Sequence, residues 1–223
     1  MSAARQPNAR DMAIRTAAIL FIFVVIFTGF LAGAYQWTRP AILASAAEEK
    51  MALIGEVLPR SHYDNDPLKD TLEVPPSAAL GTTDPLTIYR ARKSGQAVAV
   101  VLEAIAPDGY SGRIRLLLAV THEGKLTGVR VLSHKETPGL GDYIEPRKDK
   151  NKQRPWITQF DGRSLNEPGI AGWKVKKDGG VFDANTGATV TPRAIVKAIH
   201  KALQFVDSQR DTLFTTQSSG VKP

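Results

Sequence analysis

Between Arg15 and Arg39 the chain runs for 23 positions, Thr16 to Thr38, without one charged residue. Its centre, Ala18 to Phe27, is apolar almost throughout. At about 1.5 Å of rise per residue such a segment matches the roughly 30 Å hydrocarbon core of a bilayer. Lipid offers no partner for peptide groups, so this stretch has to be a helix. Tyr35 and Trp37 stand where an interfacial aromatic belt belongs. Arg5, Arg10 and Arg15 precede the span against a single Asp11, whereas Arg39 is followed by Glu48 and Glu49. Positive charge stays inside, which predicts a single-pass protein of a bacterial inner membrane with its N-terminus cytoplasmic and residues 40–223 periplasmic. Ala44-Ser45-Ala46 resembles a cleavage site. The apolar run nevertheless exceeds a signal h-region of about 7–15 residues, and the anchor reading is preferred.

The rest of the chain divides by composition. Residues 1–15 form a cytoplasmic N-terminus and 16–38 the transmembrane helix. Residues 39–84 read as a connector, in which Pro40 opens a second helix, Pro59 stops it, and a Pro-, Asp- and Ser-rich stretch extends or packs as a loop. From 85 to 210 comes a domain of strand-like runs, 87–91, 97–103, 113–120 and 126–132, with a Lys93-Ser94-Gly95 turn, ending in an amphipathic helix over about 192–207. Residues 211–223 read as a polar, frayed tail. The class is α+β: an antiparallel sheet with a packed C-terminal helix. Absence of cysteine excludes thiolate-bound iron–sulfur clusters and disulfides. The four histidines lack metal-ligand spacing, so no metal is expected. The net charge of +7 is scattered among acids, as in Arg147-Lys148-Asp149-Lys150, which excludes a nucleic-acid partner.

Chemistry concentrates in Asp183-Ala184-Asn185-Thr186-Gly187-Ala188-Thr189. This run presents a threonine hydroxyl on a small-residue turn, beside a helix start whose free N–H groups favour a phosphate. Thr191 reads as the N-cap, with Pro192 in the first helical position. The run has the form of the flavinylation motif of proteins that carry FMN as a phosphoester on its last threonine. A second constellation, His134-Lys135-Glu136-Thr137-Pro138-Gly139-Leu140-Gly141-Asp142, packs two glycines and a proline into a compact turn. It is either a ligand wall or a tight connection. Lys174, Lys176 and Lys177 either stabilise a reduced, anionic flavin or guard a strand edge.

These runs, with Gly109-Tyr110-Ser111-Gly112-Arg113-Ile114, Trp156 and Gln159-Phe160-Asp161-Gly162, resemble the FMN-binding domain of the G subunit of the Rnf (Rsx) electron-transport complex. The C subunit of the sodium-pumping NADH:quinone reductase shares that domain and is the nearest alternative. The resemblance implies covalent FMN on Thr189, with Thr186, Gly187 and Ala188 shaping the phosphate turn. It places Glu136, Thr137, Gly139 and Leu140 along the isoalloxazine or ribityl side, with His134 and Asp183 in the same set. The implied partners are the other subunits of a membrane complex that couples ferredoxin/NAD electron transfer to ion movement, and a flavin transferase for maturation. With no nucleophile–base pair and no G-x-G-x-x-G, the chain reads as an electron-carrying subunit rather than a complete enzyme. A non-redox periplasmic scaffold of the same fold is the alternative from another class, and would not need Thr189.

Overall fold

The computed structural model describes residues 8–185 and 187–215; Arg5, Thr186 and the tail from 216 onward lie outside the described residues. The chain forms two compact units, residues 1–50 and 51–223. Helix α1, Ala9–Val57, carries the long uncharged segment, and its most apolar window has a mean hydropathy of 2.6 with none of it buried in the chain. It is long and apolar enough to cross a membrane. Pro40 does not open a second helix: it lies inside α1. The ring removes one backbone donor, which costs the helix a single bond to the preceding turn, and α1 continues past it.

The second unit is built on a five-stranded antiparallel meander, β1 Thr71–Val74, β2 Leu86–Lys93, β3 Gln96–Gly109, β4 Gly112–Thr121 and β5 Leu126–Ser133, in spatial order β1-β2-β3-β4-β5. Ser94 and Gly95, both at positive φ (52° and 80°), make the two-residue turn from β2 to β3. The connector is less extended than its sequence reads, because β1 pairs with β2 and the sheet begins before residue 85. A buried ion pair holds this edge: Asp70 accepts from Arg90 Nε at 2.8 Å and also pairs with Arg92. Of the aspartates in residues 60–84 only Asp70 is buried; Asp64, Asp66 and Asp84 are exposed, as in a loop.

Both faces of the sheet are covered. Helix α2, Val190–Ser208, lays Ile195, Ile199, Leu203 and Val206 on Ile88, Val100, Leu102, Leu116 and Leu118. On the other face Ile54, Val57 and Leu58 pack on Ala91, Ala99, Val101, Leu117 and Ala119. Alternate residues of β3 and β4 therefore go to opposite cores, the period-2 consequence of the pleat. Gly128 is required there, since a Cβ would lie 2.7 Å from the Val57 carbonyl oxygen. Thr127 Oγ1 donates to that oxygen at 2.7 Å, and Arg130 pairs with Glu56 at 3.2 Å. The polar tail is also corrected in part. Residues Arg210–Thr215 form a short helix, α3, that buries Leu213 and Phe214, with Phe214 edge-on to His122 at 5.0 Å.

Among the described residues between β5 and α2 there is no strand of the sheet; the segment carries short 3-10 helices, including Asp142–Ile144 and Trp156–Phe160, and two isolated bridges, Ser164 with Pro168 and Val175 with Phe182. An aromatic cluster fills this region: Trp156, Phe160, Trp173 and Phe182, with neighbouring ring centroids 4.8 to 5.4 Å apart where Phe160 meets Phe182 and Trp156, and His200 of α2 stacked on Trp173 at 5.5 Å. Burial holds the His200 imidazole below its ordinary value of 6.5, and its Nε2 has no hydrogen-bond partner among the described residues. As pH falls, the unfolded chain takes up this proton first. The stability tied to neutral His200 is therefore complete above pH 6.5 and is lost as pH falls through and below that value. Thermal melts of the full chain should show a fall in Tm between pH 7.5 and 5.5 that is smaller in His200→Phe, which keeps a ring on Trp173 but cannot take up a proton.

Candidate functional site

A cleft of about 380 Å³ opens where the β3–β4 hairpin, the turn after β5 and the start of α2 meet. Tyr110, Thr137, Leu140, Ala188, Thr189 and Val190 form its walls, with Glu136, Gly141 and Thr191 beneath them. Leu140 and Tyr110 are exposed, an arrangement that leaves apolar surface at the mouth of a polar-floored cavity.

Thr189 is the N-cap position of α2, with φ −90° and ψ −18°, and its side chain makes no cap hydrogen bond. The Thr191 cap expectation is therefore corrected. Thr191 lies inside the first turn, 1% exposed, and its hydroxyl donates to Glu136 Oε2 at 2.5 Å. Pro192 remains in the first turn, where its missing N–H is not needed. The described residues of the run leading to Thr189 have no regular secondary structure and are braced by side chains. Trp156 Nε1 donates to the Asp183 carbonyl at 2.6 Å, and the Asp183 N–H donates to Gln159 Oε1 at 2.7 Å. Tyr143 spans the turn: its hydroxyl accepts from the Asn185 N–H at 3.3 Å and donates to the Ala188 carbonyl at 3.4 Å. Burial pushes the Tyr143 phenol up to about 12, with the Asp149 and Glu136 charges adding to the effect, so the hydroxyl keeps the proton that it donates. Gly187 takes φ +87°, a conformation that side chains disfavour.

Glu136 ties the second constellation to the first. Its Oε1 accepts from the Ser111 N–H at 3.1 Å while Oε2 holds Thr191. Its own N–H donates to His134 Nδ1 at 3.0 Å, and His134 Nε2 meets Glu145 Oε1 at 2.6 Å. In that arrangement Nδ1 accepts and Nε2 carries the proton. Gly139 takes φ +76°, and its N–H donates to Asp142 Oδ1 at 2.8 Å.

The structure thus brings Glu136, Thr137, Leu140, Gly187, Ala188 and Thr189 to one cleft. His134 acts from behind, on the backbone of Glu136. The Asp183 carboxylate points away and pairs with Lys176 at 2.6 Å. Gly139 shapes the turn without lining the cleft, whereas Gly141 lines it. Lys174 and Lys177 do not line it. Sequence reasoning missed Tyr143 and the inward role of Thr191. The bonds that define them join residues 42 to 55 positions apart, a separation for which local spacing carries no signal.

These residues fit FMN. The volume lies in the ordinary range for a small-molecule site, the mouth is apolar for a ring system, and the first N–H groups of α2 lie at Thr189 for a phosphate. Residues 109–204 match the family described as the FMN-binding domain. The G subunit of the ion-translocating oxidoreductase complex of Pseudomonas aeruginosa is 47% identical over 210 residues, covering 94% of this chain and 96% of that protein. Proteins of the same name from Pseudoalteromonas atlantica and Shewanella baltica are 38% and 39% identical, covering 94% and 91% of this chain and 95% and 93% of theirs. The chain belongs to the family of G subunits of ion-translocating oxidoreductase complexes. It carries the FMN-binding domain within its second unit.

Two glycines of one turn separate the demands of conformation from those of space. A Cβ at Gly141 would lie 2.8 Å from Glu136 Oε2 and 3.2 Å from Thr191 Oγ1, whereas a Cβ at Gly139 meets nothing within 4 Å. Gly141→Ala is expected to cost about 1–3 kcal/mol by overpacking and to lower FMN loading. Gly139→Ala should cost about 1–2 kcal/mol of left-handed strain and leave loading intact. Melting curves and flavin absorbance of the two variants check this.

Proposed function

We propose that this chain is a membrane-anchored flavoprotein subunit that carries FMN as a phosphoester on Thr189. It relays electrons within an Rnf-type complex that couples ferredoxin/NAD electron transfer to ion movement across the membrane. The observation that carries the reading is the placement of Thr189: at the N-cap of α2, on the cleft wall, with a hydroxyl that makes no cap bond. Gly187, Ala188 and the first-turn N–H groups of α2 hold the phosphate; Thr186, of the same motif, lies outside the described residues. Leu140, Thr137 and Tyr110 border the ring. Asp183, His134 and Gly139 support from outside the cleft, by the backbone and ion-pair contacts given above. Bound there, FMN supplies the electron-accepting and electron-donating chemistry, while the protein supplies orientation and field. A covalent bond also keeps the cofactor from diffusing out of a compartment that does not make it. Partners are the other subunits of the complex, consistent with the names of the relatives.

The chain does not load itself on this reading. A threonine hydroxyl needs a base to become a useful nucleophile; no His, Lys or Glu lies within three residues of Thr189, and the Glu136 carboxylate on the cleft floor is already engaged by the Ser111 N–H and the Thr191 hydroxyl. A separate transferase therefore brings FAD. The Thr189 oxygen attacks the phosphorus on the FMN side, the bond between the phosphates breaks, AMP leaves, and the hydroxyl proton passes to the transferase's base. Protein produced with such a transferase should give a flavin-fluorescent band on a denaturing gel. Thr189→Val should abolish it with expression and membrane insertion intact, and Thr191→Val, at a position 1% exposed, should retain it. A band persisting in Thr189→Val would exclude the attachment site.

The arginine bias before the long apolar segment places the N-terminus in the cytoplasm and the flavin domain in the periplasm of a bacterial inner membrane. A reporter active only in the periplasm, fused after Pro223, should work, and one active only in the cytoplasm should be silent. The reverse result would put the flavin on the other side.

A further inference from the structure

Glu136 is 5% exposed, yet it forms part of the cleft floor. Its two oxygens accept from neutral donors, the Ser111 N–H at 3.1 Å and the Thr191 hydroxyl at 2.5 Å. Among the described residues no Lys, Arg or His side chain forms an ion pair with it. Room for it comes from two glycines: a Cβ at Gly109 would lie 3.0 Å from Oε1, and one at Gly141 would lie 2.8 Å from Oε2. A glutamine could tie the hairpin to α2 nearly as well, since its oxygen accepts and its amide can donate to a turned Thr191 hydroxyl. The tie alone does not call for a charge. A buried charge without a cation is costly, and such groups concentrate where function uses their field.

Resting on the FMN reading above, we propose that Glu136 is a fixed negative charge beneath the cofactor and holds its reduction potential down. Electrons entering the cleft bring negative charge toward a carboxylate that water screens poorly, and the repulsion disfavours the reduced form. Glu136 is thus a tuning residue, with its hydrogen bonds fixing where the charge stands.

The test uses the full chain, loaded by a transferase and purified in detergent, with loading first confirmed by in-gel fluorescence. Spectroelectrochemical titration of Glu136→Gln should show the reduction equilibrium shifted at least tenfold toward the reduced form, about 30 mV upward for a two-electron couple. Glu136→Asp keeps the charge but is one methylene shorter; it should melt lower than the parent and hold its equilibrium within threefold of it. A loaded Glu136→Gln within threefold of the parent overturns the proposal. So does a tenfold upward displacement in Glu136→Asp, which decides the matter even where Glu136→Gln takes up no flavin. A parent protein without a fluorescent band overturns the covalent FMN reading instead, a failure visible before any titration.

Discussion

Helix α2 is seated on the sheet through Ile195, Ile199, Leu203 and Val206, none more than 2% exposed, and the position of its first turn follows from that seating. Burying an aliphatic side chain of this size is worth about 1.5–3 kcal/mol, so the stripe outweighs any single polar contact at the cleft. What the stripe fixes is a register. With Ile195 and Ile199 facing the sheet, Thr191 one turn earlier faces inward and reaches Glu136, while Thr189 stands at the helix entrance on the cleft wall. The small residues before it then matter for what they omit. Gly187 turns the chain at φ +87°, and Ala188 passes close to Tyr143 without bulk.

The sheet serves two cores with different side-chain sets. The α2 face carries Ile88, Val100, Leu102, Leu116 and Leu118, whereas the opposite face is floored by Ala91, Ala99 and Ala119, with Val101 and Leu117 beside them. Small residues let a helix end approach closely, and Gly128 makes that approach closest at Val57. The run Arg113-Ile114-Arg115-Leu116-Leu117-Leu118-Ala119-Val120 shows both regimes in one strand: it alternates charged and apolar residues at first, then is apolar at every position. Its first part has one wet face and its second has two dry ones.

That contrast explains what could be read from the sequence. The four longer strands, the amphipathic stripe of α2 and the apolar segment were legible because each is written at a single period over many residues. Residues 71–74 were not, since a four-residue edge strand held by an Asp70–Arg90–Arg92 network has the composition of a loop. Helix α3 escaped notice for a related reason: Leu213 and Phe214 are adjacent, and two residues define no period. At the site, the motif pointed to Thr189 and the second turn to Glu136. The pairing of Glu136 with Thr191, and of Tyr143 with both ends of the turn, arises from chain crossings that no local pattern encodes.

The braces around Asp183–Thr189 have a consequence for access. The Asp183 carbonyl and N–H, the Asn185 N–H and the Ala188 carbonyl are held by Trp156, Gln159 and Tyr143 side chains rather than by a helix or a ladder. Each such bond is worth about 0.5–1.5 kcal/mol net, and the packing of Ala184 and Ala188 against the core adds to them. A motif inside a strand would have to break the sheet to be reached, and one on a free tail would hold a bound group in no fixed orientation. A side-chain-braced turn at a helix entrance lies between these extremes. On the proposed reading, Thr189 stands there on a seat whose walls are set by the packing of α2.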